Sequence, residues 1–512
     1  MPKALLFTTG DGRPSANAFW MPNHRDMIPK AEDALRRAGL EPVWLHDNSI
    51  AVSSVYEAAD VGKTLLAKMS AGDMVVDMTT GWNWPEHFGV VATMCQEQLR
   101  SGTLRLVLLC NMEEKAPGYV AARANALICE ILGVPYASLT VLDKSDAGWD
   151  SLVDDLEAVD TGSYSPNVPS ETVASSADHH RTAEQAIRNL RQSGGIVPII
   201  NPSSMTMAQG WPNYHMFKML GLTPHAIGSN QFRADMDAVS LRDLLSSYEW
   251  LIDRGLQFEY TDGGLCEEEV FEALRMYMAK LQYFKMGAIG MGTQGQMDMT
   301  GFWPATDLSE SMMMSTHSPG KNSPVVDVTE SDCEALWTSL LMQEIIHVKY
   351  GVLAPIGFHD VRHYNTHEDT LVLLNSGALA FDFMCDSPED LSDVHAVSQN
   401  RQVYFLNGGA AVKGNMRPRA GTNMFRAHGR GSGYRMQATG MNILPLSWEH
   451  RDEKYGKLDP WPMGIVQTPN GTTKDVTLSW VPNHSQHCEQ DIIPEMLAAC
   501  KILEVDFHCY AR

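Results

Sequence analysis

Apolar and polar positions along the first 155 residues follow two alternating rhythms. Short apolar runs at 4–8, 41–45, 74–78 and 104–109 read as strands, and the amphipathic stretches 26–38 and 61–69 between them read as helices. Strand–helix–strand repetition of this kind implies a parallel sheet covered by helices. A Ser/Pro-rich stretch at 161–176 breaks the pattern and marks the clearest boundary. Beyond it, a second α/β segment has strand-like runs at 195–200 and 287–291, helices at 241–254 and 267–283, and a long helix at about 331–347. After Tyr350 the texture changes. Short strand-like runs at 371–374, 403–406, 442–446 and 476–481 alternate with Gly/Asn/Pro turns, as in a small β-barrel or sandwich, and a helix at 492–503 closes the chain. The expected fold class is α/β, with two N-terminal Rossmann-like α/β domains (1–160 and 178–350) followed by a C-terminal β-barrel domain (351–512).

Length and charge narrow the picture. At 512 residues the chain exceeds one ordinary core, and 44% hydrophobic with 20% charged residues is the composition of a soluble globular protein. A net charge of −23 argues against nucleic-acid or anionic-membrane partners. The opening residues have too short an apolar run for a signal peptide and read as a first strand. No segment approaches the ~20 apolar residues of a membrane helix. Nine cysteines without a CxxC pair fit free thiols in a reducing cytoplasm.

Chemistry gathers in three places: Asp327-Val-Thr-Glu330-Ser-Asp332, His359-Asp360-Val-Arg362 and Trp480-Val-Pro-Asn-His484. Two carboxylates and one imidazole, each at the edge of an ordered element, can hold one divalent metal with open positions. That suits Lewis-acid catalysis on a sugar's oxygens better than a sealed structural site. Glu330 directly precedes the long helix, where Thr329 and Ser331 offer capping groups and the positive helix end favours a carboxylate. Singly, each piece has an ordinary reading. Asp360 beside Arg362 can be half of an ion pair, His484 a satisfied loop histidine, and Asn375-Ser-Gly a turn. Gly408-Gly409 and the glycines at 429–433 lack nucleotide-loop spacing. Met312–Met314 reads as packing filler, and His179-His180 with His363 and His367 as solvated histidines.

The order of several motifs resembles the L-fucose isomerase family. They are Lys285-Met-Gly-Ala-Ile-Gly-Met-Gly-Thr-Gln294-Gly-Gln296, Val328-Thr-Glu330-Ser-Asp332, Phe358-His-Asp360-Val-Arg, Leu374-Asn375-Ser376-Gly377 and Asn483-His484. Asp11-Gly12-Arg13, the Trp82 and Trp84 of Thr-Thr-Gly-Trp-Asn-Trp-Pro-Glu, and Ser204-Met-Thr-Met-Ala extend the likeness to the N-terminal half. The resemblance implies a fold similar to L-arabinose isomerases and aldose–ketose isomerisation with a divalent ion, usually Mn²⁺. It implies Glu330, Asp360 and His484 as metal ligands, with Glu330 and Asp360 also the catalytic acid/base pair. Arg13, Trp82, Gln294, Ser376 and Asn483 fall where the family lines its sugar pocket. Family members are hexamers in which a neighbour's N-terminal domain completes each site, so Arg13 and Trp82 would act across an interface.

One departure concerns charge. Where the family reads like Phe-Arg-Gly-Gly-Gly-Tyr, this chain has Phe425-Arg426-Ala-His428-Gly-Arg430, placing Arg430 at the tyrosine's position. Arg417, Arg419 and Arg435 lie close by. The cluster reads either as a solvated or inter-subunit patch or as a grip on an anionic substituent, since guanidinium matches sulfonate, carboxylate or phosphate oxygens. The second reading makes Arg430 a substrate-binding residue and sulfoquinovose a candidate beside L-fucose-like and D-arabinose-like sugars. The expectation is a cytoplasmic metal-dependent isomerase of a small sugar. Its rivals are a non-catalytic sugar-binding protein and a hydrolase or lyase using the same triad.

Overall fold

Five parallel strands open the chain: β1 (Lys3–Phe7), β2 (Glu41–Trp44), β3 (Met74–Thr79), β4 (Arg105–Asn111) and β5 (Ala137–Val141). Their order is β2-β1-β3-β4-β5. β3 and most of β4 are buried, which is why they read as almost unbroken apolar runs. Four of the five strands match the expected runs to within a residue or two; β5 did not stand out. This is a computed structural model, and it describes residues 1–512 apart from 113–116, 203, 294–298, 402, 456–460 and 483. The expected pocket residues Gln294 and Asn483 therefore lie outside the described residues.

The amphipathic stretch at 26–38 proves to be the second half of a helix running Pro14–Arg37. Proline in its first turn is compatible with a helix start, but Pro22 inside it masks its first half from a reading by propensity. The Ser/Pro-rich stretch has no regular secondary structure from 163 to 176. It is tied to the C-terminal region, with Glu171 N donating to Cys509 O at 2.8 Å and His508 Nε2 2.9 Å from Pro169 O.

The second sheet is also parallel. It holds β6 (Ile196–Ile200) and β7 (Thr223–Ile227), skips the two-residue β8 (Gln257–Phe258), and continues with β9 (Gly290–Thr293) and β10 (Val326–Thr329), in the order β10-β9-β6-β7. From β10 the chain passes into the helix Cys333–Tyr350. Its N-cap is Asp332, whose carboxylate accepts from Ala335 N at 2.8 Å, rather than the neighbouring Thr329 or Ser331.

β11 (Gly357–Asn365) and β12 (Thr370–Leu374) begin the last region. β13 (His395–Ser398) and β14 (Ala410–Lys413) join β8 in a small separate sheet. β15 (Arg419–Arg430), β16 (Gly433–Leu444), β17 (Met463–Gln467), β18 (His484–Cys488) and β19 (Asp506–Cys509) complete a mixed sheet ordered β15-β18-β11-β12-β17-β16-β19. β15 also pairs with β16 along their length, so six of these strands pair in a cycle.

Two expected strands are corrected. Residues 403–406 form turns, with Gly408 N donating to Phe405 O at 2.7 Å. Residues 476–481 begin inside the helix Thr473–Ser479. There Val476 and Trp480 are both buried four residues apart, and so short an apolar run cannot by itself tell a strand from a helical turn.

A buried apolar cluster including Trp20, Trp82, Met205, Leu308 and Val361 runs through all three regions and supports the cleft described next. Among the described residues no helix is long and apolar enough to cross a membrane, and all nine cysteines are free.

Candidate functional site

Glu330 stands at the carboxyl end of β10, where open parallel sheets place ligand-binding loops. It and Ser331 adopt left-handed backbone, φ 63° and 53°. Ser331 Oγ donates to Ile200 O at 3.0 Å, tying this turn to the end of β6. The loop after β6 is also left-handed at Asn201, Met205 and Thr206. Five of the eight left-handed non-glycine residues described thus fall in these two loops, and such costly conformations concentrate where a site demands them.

The other two expected ligands arrive from the mixed sheet. Asp360 of β11 lies directly opposite His484 of β18 in an antiparallel pair. His484 Nε2 is 3.3 Å from Asp360 Oδ1 and 3.3 Å from Glu330 Oε2. Three side chains separated by up to 154 positions therefore meet at one nitrogen, as the sequence led us to expect.

The opposite edge of the imidazole is fixed by residues not singled out from sequence as functional. His484 Nδ1 lies 2.7 Å from Asp332 Oδ2, which also accepts from Arg426 Nη1 at 2.8 Å. Arg426 is fully buried, and Glu334 lies 3.4 Å from its other nitrogen. Burial alone would raise the Asp332 carboxyl; Arg426 and His484 outweigh it and hold it below the usual range. Burial would also lower His484, but its hydrogen bonds to Asp332 and Glu330 and the charge of Asp360 raise it to about 10. In the protein by itself the imidazole is a cation clamped among three carboxylates.

Glu330, Asp360 and His484 line a cleft of about 470 Å³. Trp82, Met205, Tyr404 and Trp461 make an aromatic and apolar wall, and Arg362 and Ser376 line it as well. Trp82 and Ser376 both line this cleft, Trp82 from the same chain as Glu330. Arg13 sits one layer behind: its guanidinium grips Asp11 at 2.6–2.8 Å, donates to Tyr404 O at 3.3 Å and lies over the Tyr404 ring at 5.1 Å.

Arg430 does not line the cleft. It is half exposed at the end of β15 and pairs with Asp506 at 2.8 Å and Glu130 at 3.3 Å. The other arginines of its cluster are matched too: Arg417 and Arg419 with Glu489, Arg426 with Asp332, and Arg435 with Asp506. The cluster balances local acids, and among the described residues the arginine that lines the cleft is Arg362.

Glu330, Asp360 and His484 are the residues that could hold a metal. Among the described residues, no group of three or more His, Cys, Asp or Glu side chains has the arrangement of a formed metal-ligand set. Glu330 Oε2 and Asp360 Oδ1 each lie 3.3 Å from His484 Nε2 instead. No protein-family model matches the chain, and a search of curated proteins returns no match.

Proposed function

We propose that this chain is an aldose–ketose isomerase of the L-fucose isomerase type, acting on a small sugar with the help of a divalent ion. The observation that carries the reading is the meeting of Glu330, Asp360 and His484 in an aromatic-walled cleft. The donor types fit the ion: two carboxylates nearly neutralise a 2+ charge, and mixed oxygen and nitrogen donors suit Mn²⁺ and similar ions. Asp332 occupies His484 Nδ1 and so commits Nε2 to the cleft, the way a carboxylate bonded to the far ring nitrogen orients a metal-binding histidine. Held there, Mn²⁺ would supply the Lewis acidity that stabilises negative charge on the sugar's O1 and O2. The cyclic pairing of six strands supports reading the C-terminal region as a small closed barrel.

Isomerisation takes a proton from C2 and returns one to C1, so it needs a carboxylate within hydrogen-bond reach of both carbons. Glu330 and Asp360 are the pair for that work. Trp82, Tyr404 and Trp461 would pack the C–H faces of the sugar and exclude water, and the buried Trp82 Nε1, without a partner among the described residues, offers a donor to a hydroxyl. A second reading, an anionic 6-substituted hexose such as sulfoquinovose, draws its support from Arg362 in the cleft rather than from Arg430.

The test is a sugar panel on Mn²⁺-loaded protein: L-fucose, D-arabinose, L-arabinose, D-glucose and sulfoquinovose, followed by ¹H NMR in D₂O. Ketose formation with deuterium entering at the exchanged carbon is the expected result. Binding without turnover would instead make this a sugar-binding protein, and a product of altered mass would point to a hydrolase or lyase.

A further inference from the structure

We propose that Gln399 is a positioning residue that tunes which sugars the cleft accepts, by fixing the indole of Trp461 as part of its wall. The inference rests on the isomerase reading above. Gln399 is itself buried, just past β13, and nothing in its sequence surroundings marks it out.

Its amide is fully employed. Oε1 accepts from Trp461 Nε1 at 2.7 Å, while Nε2 donates to Asp307 Oδ2 at 2.5 Å and to Ser376 O at 2.8 Å. The reverse orientation would set an oxygen against a carboxylate and a carbonyl, and an NH₂ against the indole N–H, so the network admits one orientation. Trp461 and Ser376 both line the cleft, and one buried amide holds the two together.

The turn that carries Ser376 is shaped around this amide. Gly377 has φ 119°, and a Cβ there would fall 2.5 Å from Gln399 Nε2 and 3.0 Å from Asp307 Cγ. Glycine is therefore required both by the backbone and by the approach of the amide. On the far side, Asp307 begins the buried helix Asp307–Met314, a rigid anchor for the chain of contacts.

Besides its place in a buried apolar cluster, Trp461 has two further directed contacts among the described residues. Arg451 Nη2 donates to its carbonyl at 2.6 Å, and Phe405 meets its ring edge-on at 6.4 Å. The first fixes backbone and the second touches the ring without directing its polar edge; Gln399 sets the rotation of the indole. A ring of fixed rotation bounds the space beyond the reacting carbons. Releasing it weakens ground-state and transition-state binding together, which raises KM and spares kcat.

The experiment compares wild type, Gln399→Met, Gln399→Glu, Trp461→Phe and the Gln399→Met/Trp461→Phe double variant on Mn²⁺-loaded full-length chain. Indole N–H resonances are read by ¹H–¹⁵N TROSY, the Trp461 peak being assigned by its loss in Trp461→Phe. Steady-state kinetics use the best sugar of the panel. Expected in Gln399→Met are an upfield move of the Trp461 proton, a roughly tenfold rise in KM and a kcat within about twofold of wild type. The double variant should fall well short of the sum of the two single effects, because Gln399 acts chiefly through that ring. Gln399→Glu keeps the acceptor and can share a proton with Asp307, so it should retain the peak and most of the affinity. If Gln399→Met does not fold, the comparison of Gln399→Glu with Trp461→Phe decides: a retained peak with near-normal KM supports the proposal, a lost one overturns it. An unmoved peak in Gln399→Met, additive KM effects, or a fall in kcat alone would each overturn it. The resonance reports the contact whether or not any sugar is turned over, so an inactive wild type, which sinks the isomerase reading, shows separately; titration of the same peaks with L-fucose then replaces KM, and an equal affinity in wild type and Gln399→Met overturns the proposal.

Discussion

His484 Nδ1 lies 2.7 Å from Asp332 Oδ2, and this contact decides which edge of the imidazole faces the cleft. Asp332 performs three tasks with one carboxylate: it caps the helix Cys333–Tyr350, neutralises the buried Arg426 and orients His484. Asparagine at this position keeps the capping oxygen but loses the charge that holds Nδ1 protonated. Asp332→Asn should therefore lower the Tm, because Arg426 loses its partner, and the folded protein should bind Mn²⁺ about 10–100-fold more weakly, measured by titration calorimetry. An unchanged affinity would show that Asp332 serves the helix alone.

On the proposed isomerase reading, Glu330 and Asp360 carry the proton transfer. Glu330→Gln and Asp360→Asn are close in shape, and each should lower turnover by on the order of 10²–10⁴ at saturating Mn²⁺, with unchanged circular dichroism. Should either variant retain more than about a tenth of wild-type turnover, that side chain is not the acid or base.

How much of this was legible in the chain follows from the physics of each element. β1, β3 and β4 announce themselves because strands covered on both faces must be apolar throughout. The carboxylate and imidazole at 330, 360 and 484 were legible through their motifs. Their convergence was expected from those motifs, but the register that sets Asp360 opposite His484 across two strands 124 positions apart was not readable. Trp461 and Tyr404 were missed for a different reason. Tyr404 sits in an apolar run that forms turns, where no periodicity reports a wall-forming aromatic. Gln399 was invisible because a buried amide is recognised by its partners at 307, 376 and 461, none near it in sequence. Arg430 stayed open between two readings because sequence shows the density of arginines but not the acids that face them.

Arg430 supplies a direct check on that last point. Its guanidinium is spent on Asp506 and Glu130 at a half-exposed position. Exposed pairs of this kind contribute little, so Arg430→Met should leave turnover on every sugar of the panel within about twofold and stability within about 1 kcal/mol. Selective loss of turnover on sulfoquinovose would return Arg430 to the substrate.

A buried carboxyl in the first sheet gives a test independent of the cleft. Asp77 of β3 is fully buried; it accepts from Asn125 Nδ2 at 2.7 Å and Thr79 Oγ1 at 3.2 Å, and Thr9 Oγ1 is 3.5 Å away. Burial dominates these bonds and raises the carboxyl from 3.8 to about 7. Because the folded state holds this proton more tightly than the unfolded chain, its stabilising contribution is complete below about 3.8 and is lost as pH rises through about 7. Asparagine is neutral at every pH and keeps an oxygen for Asn125, so it removes that dependence. The Tm of Asp77→Asn relative to wild type should therefore climb between pH 5 and pH 8, the two stabilities diverging by roughly 2–4 kcal/mol over the range. Parallel melting curves across that range would mean that Asp77 is already ionised in the folded protein, with its charge met by the surrounding amides and hydroxyls.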